Sequence, residues 1–209
     1  MTLGARAPAE DLALVKRLLA GDATAFAFLV DRYHGRLLRL AMTFVSDRAT
    51  AEDVVQDTWL GVMRGLETFE GRSALNTWIF RILTNRAKSR GVRDARSLPF
   101  SSLESPDREH ESPVDPARFQ PNGAWADPPR RWDDDTPEKL LMRQEAVHHL
   151  QGAIEDLPAN QRAVVILRDI EGLDADEVCN ILEISETNQR VLLHRARSKL
   201  RRALEEYVQ

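Results

Sequence analysis

The chain has 209 residues, of which 43% are hydrophobic and 30% charged, so it can bury one or two modest cores and fits two small domains better than one. Its single cysteine, Cys179, excludes an internal disulfide and a cysteine zinc cluster, and a reducing cytoplasm is the default compartment. No apolar run reaches membrane-spanning length, and the N-terminus lacks the blocks of a signal peptide. We therefore expect a cytoplasmic protein without a membrane partner.

The net charge of −4 is unevenly distributed along the chain. Residues 1–93 carry 14 basic and 10 acidic groups, residues 94–139 carry 6 and 11, and residues 140–209 carry 9 and 12, which gives +4, −5 and −3. A chain this acidic overall binds DNA weakly by itself. If it binds DNA, the composition predicts a partner that supplies most of the affinity.

Helical periodicity dominates the N-terminal part of the chain. A short amphipathic helix is predicted over residues 10–19, and a longer one begins at a cap on Asp22 and runs to Phe44. A third helix is predicted after Thr50, with Asp53 as a reciprocal cap, and a fourth over residues 74–93. The residues expected to face inward on the last two helices are Val55, Trp59, Val62, Leu66, Ile79, Ile82 and Leu83.

Two surfaces of these helices suggest binding. On the third helix, three polar groups surround an exposed leucine, which is either an ordinary solvated face or a docking face for a basic helix. On the fourth helix, an aromatic side chain and cationic side chains share one surface, a combination that can bind an unstacked single-stranded base. Taken alone, however, Trp78 is better interpreted as a tryptophan of the hydrophobic core. The first face consists of Asp53, Gln56, Asp57 and Leu60, and the second of Asn76, Trp78, Arg81, Asn85 and Lys88.

Residues 94–137 contain eight of the ten prolines, show no periodicity and read as a linker. Helical spacing resumes at Leu140, and a further helix is predicted from Ala159 to Arg168, with Gly172 closing it. Sequence signatures of a phosphate loop, a serine hydrolase or a zinc protease are absent, and His148 and His149 lack a second pair of ligands. We expect no catalytic site, cofactor or metal.

Residues 172–202 have the outline of a helix-turn-helix. Asp174, with Glu177 at the third position, is a predicted cap of the first helix, and Ser185 is a predicted cap of the second. The outward side of the second helix is polar and cationic, so it could contact base edges and phosphates as a DNA recognition helix does. The alternative interpretation is a solvated amphipathic helix with a basic face. The expected buried stripe is Gln189, Leu193, Ala196 and Leu200, and the outward residues are Thr187, Asn188, Arg190, Val191, His194, Arg195, Arg197 and Arg201.

Taken together, these stretches resemble the extracytoplasmic-function group of the bacterial sigma-70 family. The segments DATAFAFLVDRYHGRLLRLA, AEDVVQDTWL and GRSALNTWIFRILTNRA look like region two of that family, and LPANQRAVVILRDIEGLDADEVCNIL and LLHRARSKLR look like region four. The resemblance implies an all-α protein with two small helical domains, residues 10–93 and 138–209, joined by the proline-rich linker 94–137.

The resemblance also implies a function. The protein would be a promoter-specificity subunit without its own catalytic site, would bind the clamp helices and flap of core RNA polymerase, and would recognise and melt promoter DNA as duplex and single strand. An anti-sigma factor is implied only by the habit of the family. By matching positions, the polymerase would bind Asp53, Gln56, Asp57 and Leu60; the minus-ten element would bind Asn76, Trp78, Arg81, Asn85 and Lys88; and the minus-thirty-five element would bind Thr187, Asn188, Arg190, Val191, His194, Arg195 and Arg197.

The chain departs from the family pattern at two places. Glu183 stands where the family usually has glycine, which predicts a left-handed non-glycine residue at the turn. The start of the recognition helix also differs, so the promoter sequence cannot be transferred, and Val191 and Leu192 are predicted contacts to thymine methyls. Two other classes stay open on sequence grounds: a conventional DNA-binding regulator, and a helical protein that sequesters a partner.

Overall fold

The computed structural model describes residues 7–93 and 137–208. Every secondary-structure element in these ranges is helical, which confirms the predicted all-α class. The predicted linker 94–137 lies outside the described residues except for its last one, Pro137. None of the helices in the described ranges is long and apolar enough to cross a membrane.

Four helices form the N-terminal part: α1 (Ala9–Leu19), α2 (Ala23–Ala41), α3 (Arg48–Gly65) and α4 (Leu75–Arg93), with a short 3-10 turn (Leu66–Thr68) after α3. The predicted run to Phe44 is too long, because α2 ends at Ala41 and Phe44 lies buried beyond it. Helix α3 packs on both α2 and α4. Fully buried side chains of this core include Leu29, Leu37, Leu40, Ile79, Phe80 and Leu83.

The predicted cap of α2 is confirmed, whereas that of α3 is wrong. The Asp22 carboxylate accepts hydrogen bonds from the backbone N–H of Thr24 and Ala25. Helix α3 begins earlier than predicted, because Asp47 is its cap and Thr50 donates to that carboxylate through both its N–H and its hydroxyl. Asp53 therefore lies one turn inside the helix, on its exposed side.

The C-terminal part contains α5 (Pro137–Glu155), α6 (Ala159–Val165), α7 (Ala175–Leu182) and α8 (Glu186–Val208). The helix predicted to reach Arg168 changes at Ile166 into a π-helical turn (Ile166–Ile170), and Gly172 follows with φ +71°. Helix α7 has the predicted capping box between Asp174 and Glu177. The turn after it has Glu183 at φ 60° and ψ 46°, which confirms the left-handed non-glycine residue.

By their contacts the described residues fall into two compact units. The first contains residues 7–93 together with 166–186, and the second contains 137–165 together with 187–208. This grouping differs from the predicted domains in placing the π-helical turn and α7 with the N-terminal helices. In the second unit, Gln189, Leu193, Ala196 and Leu200 are all buried, which confirms the predicted stripe of α8.

Candidate nucleic-acid interface

The outer side of α3 is exposed as predicted. Its buried side carries Thr58, Trp59 and Val62, which leaves Asp53, Gln56, Asp57 and Leu60 in solvent. An exposed methionine, Met63, lies one turn beyond Leu60 and extends the apolar centre of this face. Sequence reasoning missed Met63, although its spacing of three residues from Leu60 places it on the same side. The face therefore combines carboxylates with an apolar centre.

The start of α4 presents Asn76 and Trp78. Asn76 is half-buried, and its side-chain oxygen accepts a hydrogen bond from the N–H of Thr77 at 2.7 Å. Trp78 is half-buried as well, with its ring centroid 5.2 Å from that of Phe69. Trp78 is thus neither a fully buried core residue nor an open platform, and one side of its ring is supported by an aromatic neighbour.

Asn76 also lines an open cleft of about 560 Å³ formed with α1 and α2. Phe28 and Arg32 of α2 line the same cleft, and both are exposed. An exposed aromatic four residues from a cation on one helix is the combination that suits a single-stranded base. The spacing of Phe28 and Arg32 is visible in the sequence, but the helical periodicity of α2 predicts only its buried side.

Farther along α4, the predicted residues have different environments. Arg81 and Asn85 are exposed, whereas the Lys88 side chain is only 18% exposed. Its Nζ donates to the carbonyl oxygen of Leu182 at 2.9 Å and lies 3.7 Å from the Glu183 carboxylate. Burial lowers the pKa of Lys88, and the nearby Glu183 opposes this shift. In this conformation Lys88 is held by the C-terminal end of α7.

Two more glutamates of residues 166–186 contact the N-terminal helices. The Thr77 hydroxyl donates to Glu177, next to both Asn76 and Trp78. Glu171, whose side chain is 1% exposed, accepts from the guanidinium of Arg36 and lies 3.5 Å from Arg39. The Arg36 guanidinium also lies over the rings of Tyr33 and Phe80, at 5.0 and 5.7 Å from their centroids. These contacts fix the π-helical turn and α7 against α2 and α4.

The candidate base-reading residues of α8 begin at its first turn. Thr187, Arg190 and Val191 are exposed, and the others, Asn188, His194, Arg195 and Arg197, are half-buried. Leu192 is only 4% exposed, so its predicted contact with a thymine methyl is wrong. The physical reason is that Leu192 lies beside the buried Leu193 and widens the apolar stripe. Val191 is 42% exposed, and its contact with a thymine methyl stays a prediction.

Two family models match the chain: Sigma-70 region 2 over residues 29–97 and Sigma-70 region 4 over residues 149–200. The chain is 31% identical to the RNA polymerase sigma-H factor of Pseudomonas aeruginosa over 94% of both proteins. It is also 30% identical to the ECF RNA polymerase sigma-E factor of Escherichia coli K12, over 91% of this chain and 92% of that protein.

Two solved structures share the fold. One is CnrH in complex with the cytosolic domain of CnrY, with a TM-score of 0.54, 22% identity and coverage of 94% of this chain and 97% of that one. The other is the sigma factor RpoE in complex with the anti-sigma factor NepR from Bartonella quintana, with a TM-score of 0.55, 22% identity and coverage of 86% and 96%. Since the family models cover more than half of the residues and the relatives are similar over nearly their full length, the chain belongs to the extracytoplasmic-function group of the sigma-70 family.

Proposed function

We propose that this chain directs core RNA polymerase to promoters and helps to melt them. Residues 10–93 would act as the domain that binds the polymerase and the minus-ten element, and residues 138–209 as the domain that binds the minus-thirty-five element. Synthesis of RNA would belong to the polymerase, and the protein would act in the cytoplasm with it. An anti-sigma factor is a further proposed partner.

The observation that carries this proposal lies in the first unit. A carboxylate-rich face with an apolar centre on α3 stands beside a helix, α4, whose start offers Asn76 and a supported Trp78. The α3 face suits a basic helix of the polymerase, because charge complementarity orients the encounter and exposed apolar groups supply contact area. The start of α4 suits a base taken out of the stack. One compact unit would therefore bind the polymerase and the melted strand together.

The second unit would read duplex DNA. The exposed Thr187, Arg190 and Val191 lie in the first turns of α8, where a recognition helix meets base edges. Each good base contact is worth about 1–3 kcal/mol of discrimination. Lys88 would contribute to minus-ten binding only after leaving the Leu182 carbonyl, since a phosphate and that oxygen compete for the same ammonium group.

Run-off transcription on fragmented genomic DNA of the source bacterium tests the whole proposal. Core polymerase is used with and without the chain, and transcript starts are mapped. We expect starts that depend on the chain and share two spaced upstream elements. If no such starts appear while the chain alone binds duplex DNA specifically, the protein is a conventional regulator. If Arg190→Ala and Arg195→Ala change nothing while the chain captures a protein partner, it is a sequestering protein.

Substitutions test whether the α3 face binds the polymerase and whether the start of α4 binds the minus-ten element. Asp57→Ala with Leu60→Ala is expected to weaken binding to core polymerase by roughly tenfold, as for a hot-spot pair. Trp78→Ala is expected to leave that affinity unchanged and to reduce permanganate reactivity of the minus-ten region in the complex. Glu67→Ala, an exposed carboxylate on the 3-10 turn, is the matched control for charge removal. Equal losses of core affinity in Glu67→Ala and the α3 variant would contradict the assignment.

A further inference from the structure

The residue before helix α4 offers no side chain to cap it. Its first residue is Leu75, and the residue before it is Ala74, which has no acceptor in its side chain. The Ser73 hydroxyl donates to the carbonyl oxygen of Ala74. Helices normally satisfy their first N–H groups with a nearby Ser, Thr, Asp or Asn. In α4, Asn76 accepts from the N–H of Thr77, but the acceptor for the N–H of Leu75 comes from another helix.

That acceptor is Asp11, in the first turn of α1. Its carboxylate accepts a hydrogen bond from the N–H of Leu75 at 2.7 Å, across 64 positions of the chain. The carboxylate is half-buried and lies at the positive end of the α4 dipole, where a negative charge is stabilising. Asp11 thus fixes where α4 begins and in which direction its first turn points.

Two other contacts hold the preceding loop to the same end of α1. The N–H of Ala7 donates to the carbonyl oxygen of Gly71 at 3.0 Å. Gly71 is buried with φ +67°, and a Cβ built there would lie 3.0 Å from the Leu12 side chain. A side chain at position 71 would therefore be strained by this conformation and would press on the end of the Leu12 side chain. Two hydrogen bonds, Ala7 to Gly71 and Leu75 to Asp11, therefore hold the loop and the start of α4 to the N-terminal end of α1.

The residues that these contacts position are the ones assigned to base capture. Asn76 and Trp78 follow Leu75 by one and three residues, and Asn76 lines the same cleft as Asp11. We propose that Asp11 is a positioning residue for promoter melting: by capping α4 from α1, it holds Asn76 and Trp78 in the geometry that receives a flipped base. This inference rests on the proposed minus-ten function of α4.

The test compares Asp11→Ala with Asp11→Asn in the complex with core polymerase. Asparagine keeps an oxygen acceptor and removes the charge, whereas alanine removes both. We expect Asp11→Ala to weaken binding of a fluorescent single-stranded minus-ten oligonucleotide by roughly fivefold, the size of a lost cap, and Asp11→Asn to stay within about twofold of wild type. Affinity for core polymerase is expected to stay unchanged in both, a result that general unfolding would not give.

Asn76→Ala and Trp78→Ala separate the failure of this inference from that of the proposed function. If both weaken oligonucleotide binding while Asp11→Ala does not, the positioning role is wrong and the minus-ten surface stands. If neither weakens it, the minus-ten assignment itself fails, and the positioning role with it. If Asp11→Ala also lowers core affinity, oligonucleotide binding is compared at saturating core polymerase, where both Asp11 variants are fully bound. A loss of oligonucleotide binding in Asp11→Ala that Asp11→Asn does not show then supports the proposal, and equal binding by the two variants overturns it.

Discussion

Glu183 ends α7 in the left-handed conformation, which costs a non-glycine residue about 1–2 kcal/mol. Its carboxylate is mostly exposed and 3.7 Å from Lys88, so little stabilisation is lost with the side chain. We expect Glu183→Gly to raise the free energy of unfolding by about 1 kcal/mol, seen as a melting temperature about 2–4 °C higher in thermal denaturation.

Glu183→Ala is the matched control, because it removes the same carboxylate and keeps a Cβ at φ 60°. It is expected to give no gain in melting temperature. An equal gain in both variants would mean that the carboxylate, rather than the backbone conformation, is unfavourable at this turn.

Asp22 links the stability of α2 to pH. Hydrogen bonds from the Thr24 hydroxyl, the Ala25 N–H and Arg17 hold the pKa of its carboxyl well below the usual range. A carboxylate with a lowered pKa stabilises the folded state above its ordinary pKa, and this contribution is lost as the pH falls towards the folded-state value. The difference in melting temperature between wild type and Asp22→Ala should therefore be largest above about pH 5 and should shrink progressively as the pH falls below about 4.

Asp22→Asn supplies the comparison for this pH effect, because an amide can cap the helix without titrating. Its melting temperature should differ from that of Asp22→Ala by an amount that does not change through the acid range. A difference between wild type and Asp22→Ala that stays constant from pH 7 to pH 3 would contradict the linkage.

Helix α8 offers two adjacent apolar residues with opposite surroundings. Val191 is 42% exposed, and Leu192 is 4% exposed. We expect Val191→Ser to keep the stability and to relax the preference for one thymine in the minus-thirty-five element by roughly fivefold, measured by competition with duplex variants. Leu192→Ser should instead cost about 3 kcal/mol of unfolding free energy, because it leaves a cavity and buries a hydroxyl.

Local signals made most helices of this chain predictable. The cap at Asp22 and the capping box at Asp174 each lie within three residues of the N–H groups that they satisfy, so the pattern contains both partners. The start of α3 was misplaced because Asp47 and Thr50 are both able to cap, and the earlier one adds a turn of hydrogen bonds. The prediction for Leu192 is wrong because the spacing of apolar residues shows which side of a helix is buried, but not how wide the buried stripe is.

The contacts that assemble the candidate site could not be predicted from such local sequence patterns. The bond from Leu75 to Asp11 joins positions 64 apart, and that from Lys88 to Leu182 joins positions 94 apart. Helical periodicity indicates which side of a helix is buried, but not which other helix covers it. The sequence thus predicted the outward residues of α3, and missed that Lys88 of α4 has a protein partner.

At the scale of the whole molecule, Glu171 joins distant parts of the first unit. Its buried carboxylate is paired with Arg36 and lies near Arg39, whereas the Glu70–Arg72 pair, at 2.8 Å, is largely exposed. Leaving two arginines without a buried partner charge is costly, although both are partly solvated. We expect Glu171→Gln to lower the free energy of unfolding by about 2 kcal/mol in urea titrations, and Glu70→Gln to change it by less than about 0.5 kcal/mol.

Equal effects of Glu171→Gln and Glu70→Gln would mean that the buried pair contributes no more than a surface pair. A change in the slope of the unfolding free energy with urea concentration, rather than in the midpoint alone, would mean that Glu171→Gln alters the surface exposed on unfolding or breaks two-state unfolding.

The first unit is discontinuous in sequence, and this has a consequence for its synthesis. Residues 166–186 leave the ribosome after α4 and the whole intervening stretch, and the pairing of Arg36 with Glu171 spans 135 positions. At about 5–20 residues per second, the segment follows Arg93 by roughly 5–20 seconds. During that interval Arg36, Arg39 and Lys88 of the nascent chain have not yet met their glutamate partners, so the newly made protein presents a more basic surface than the finished one.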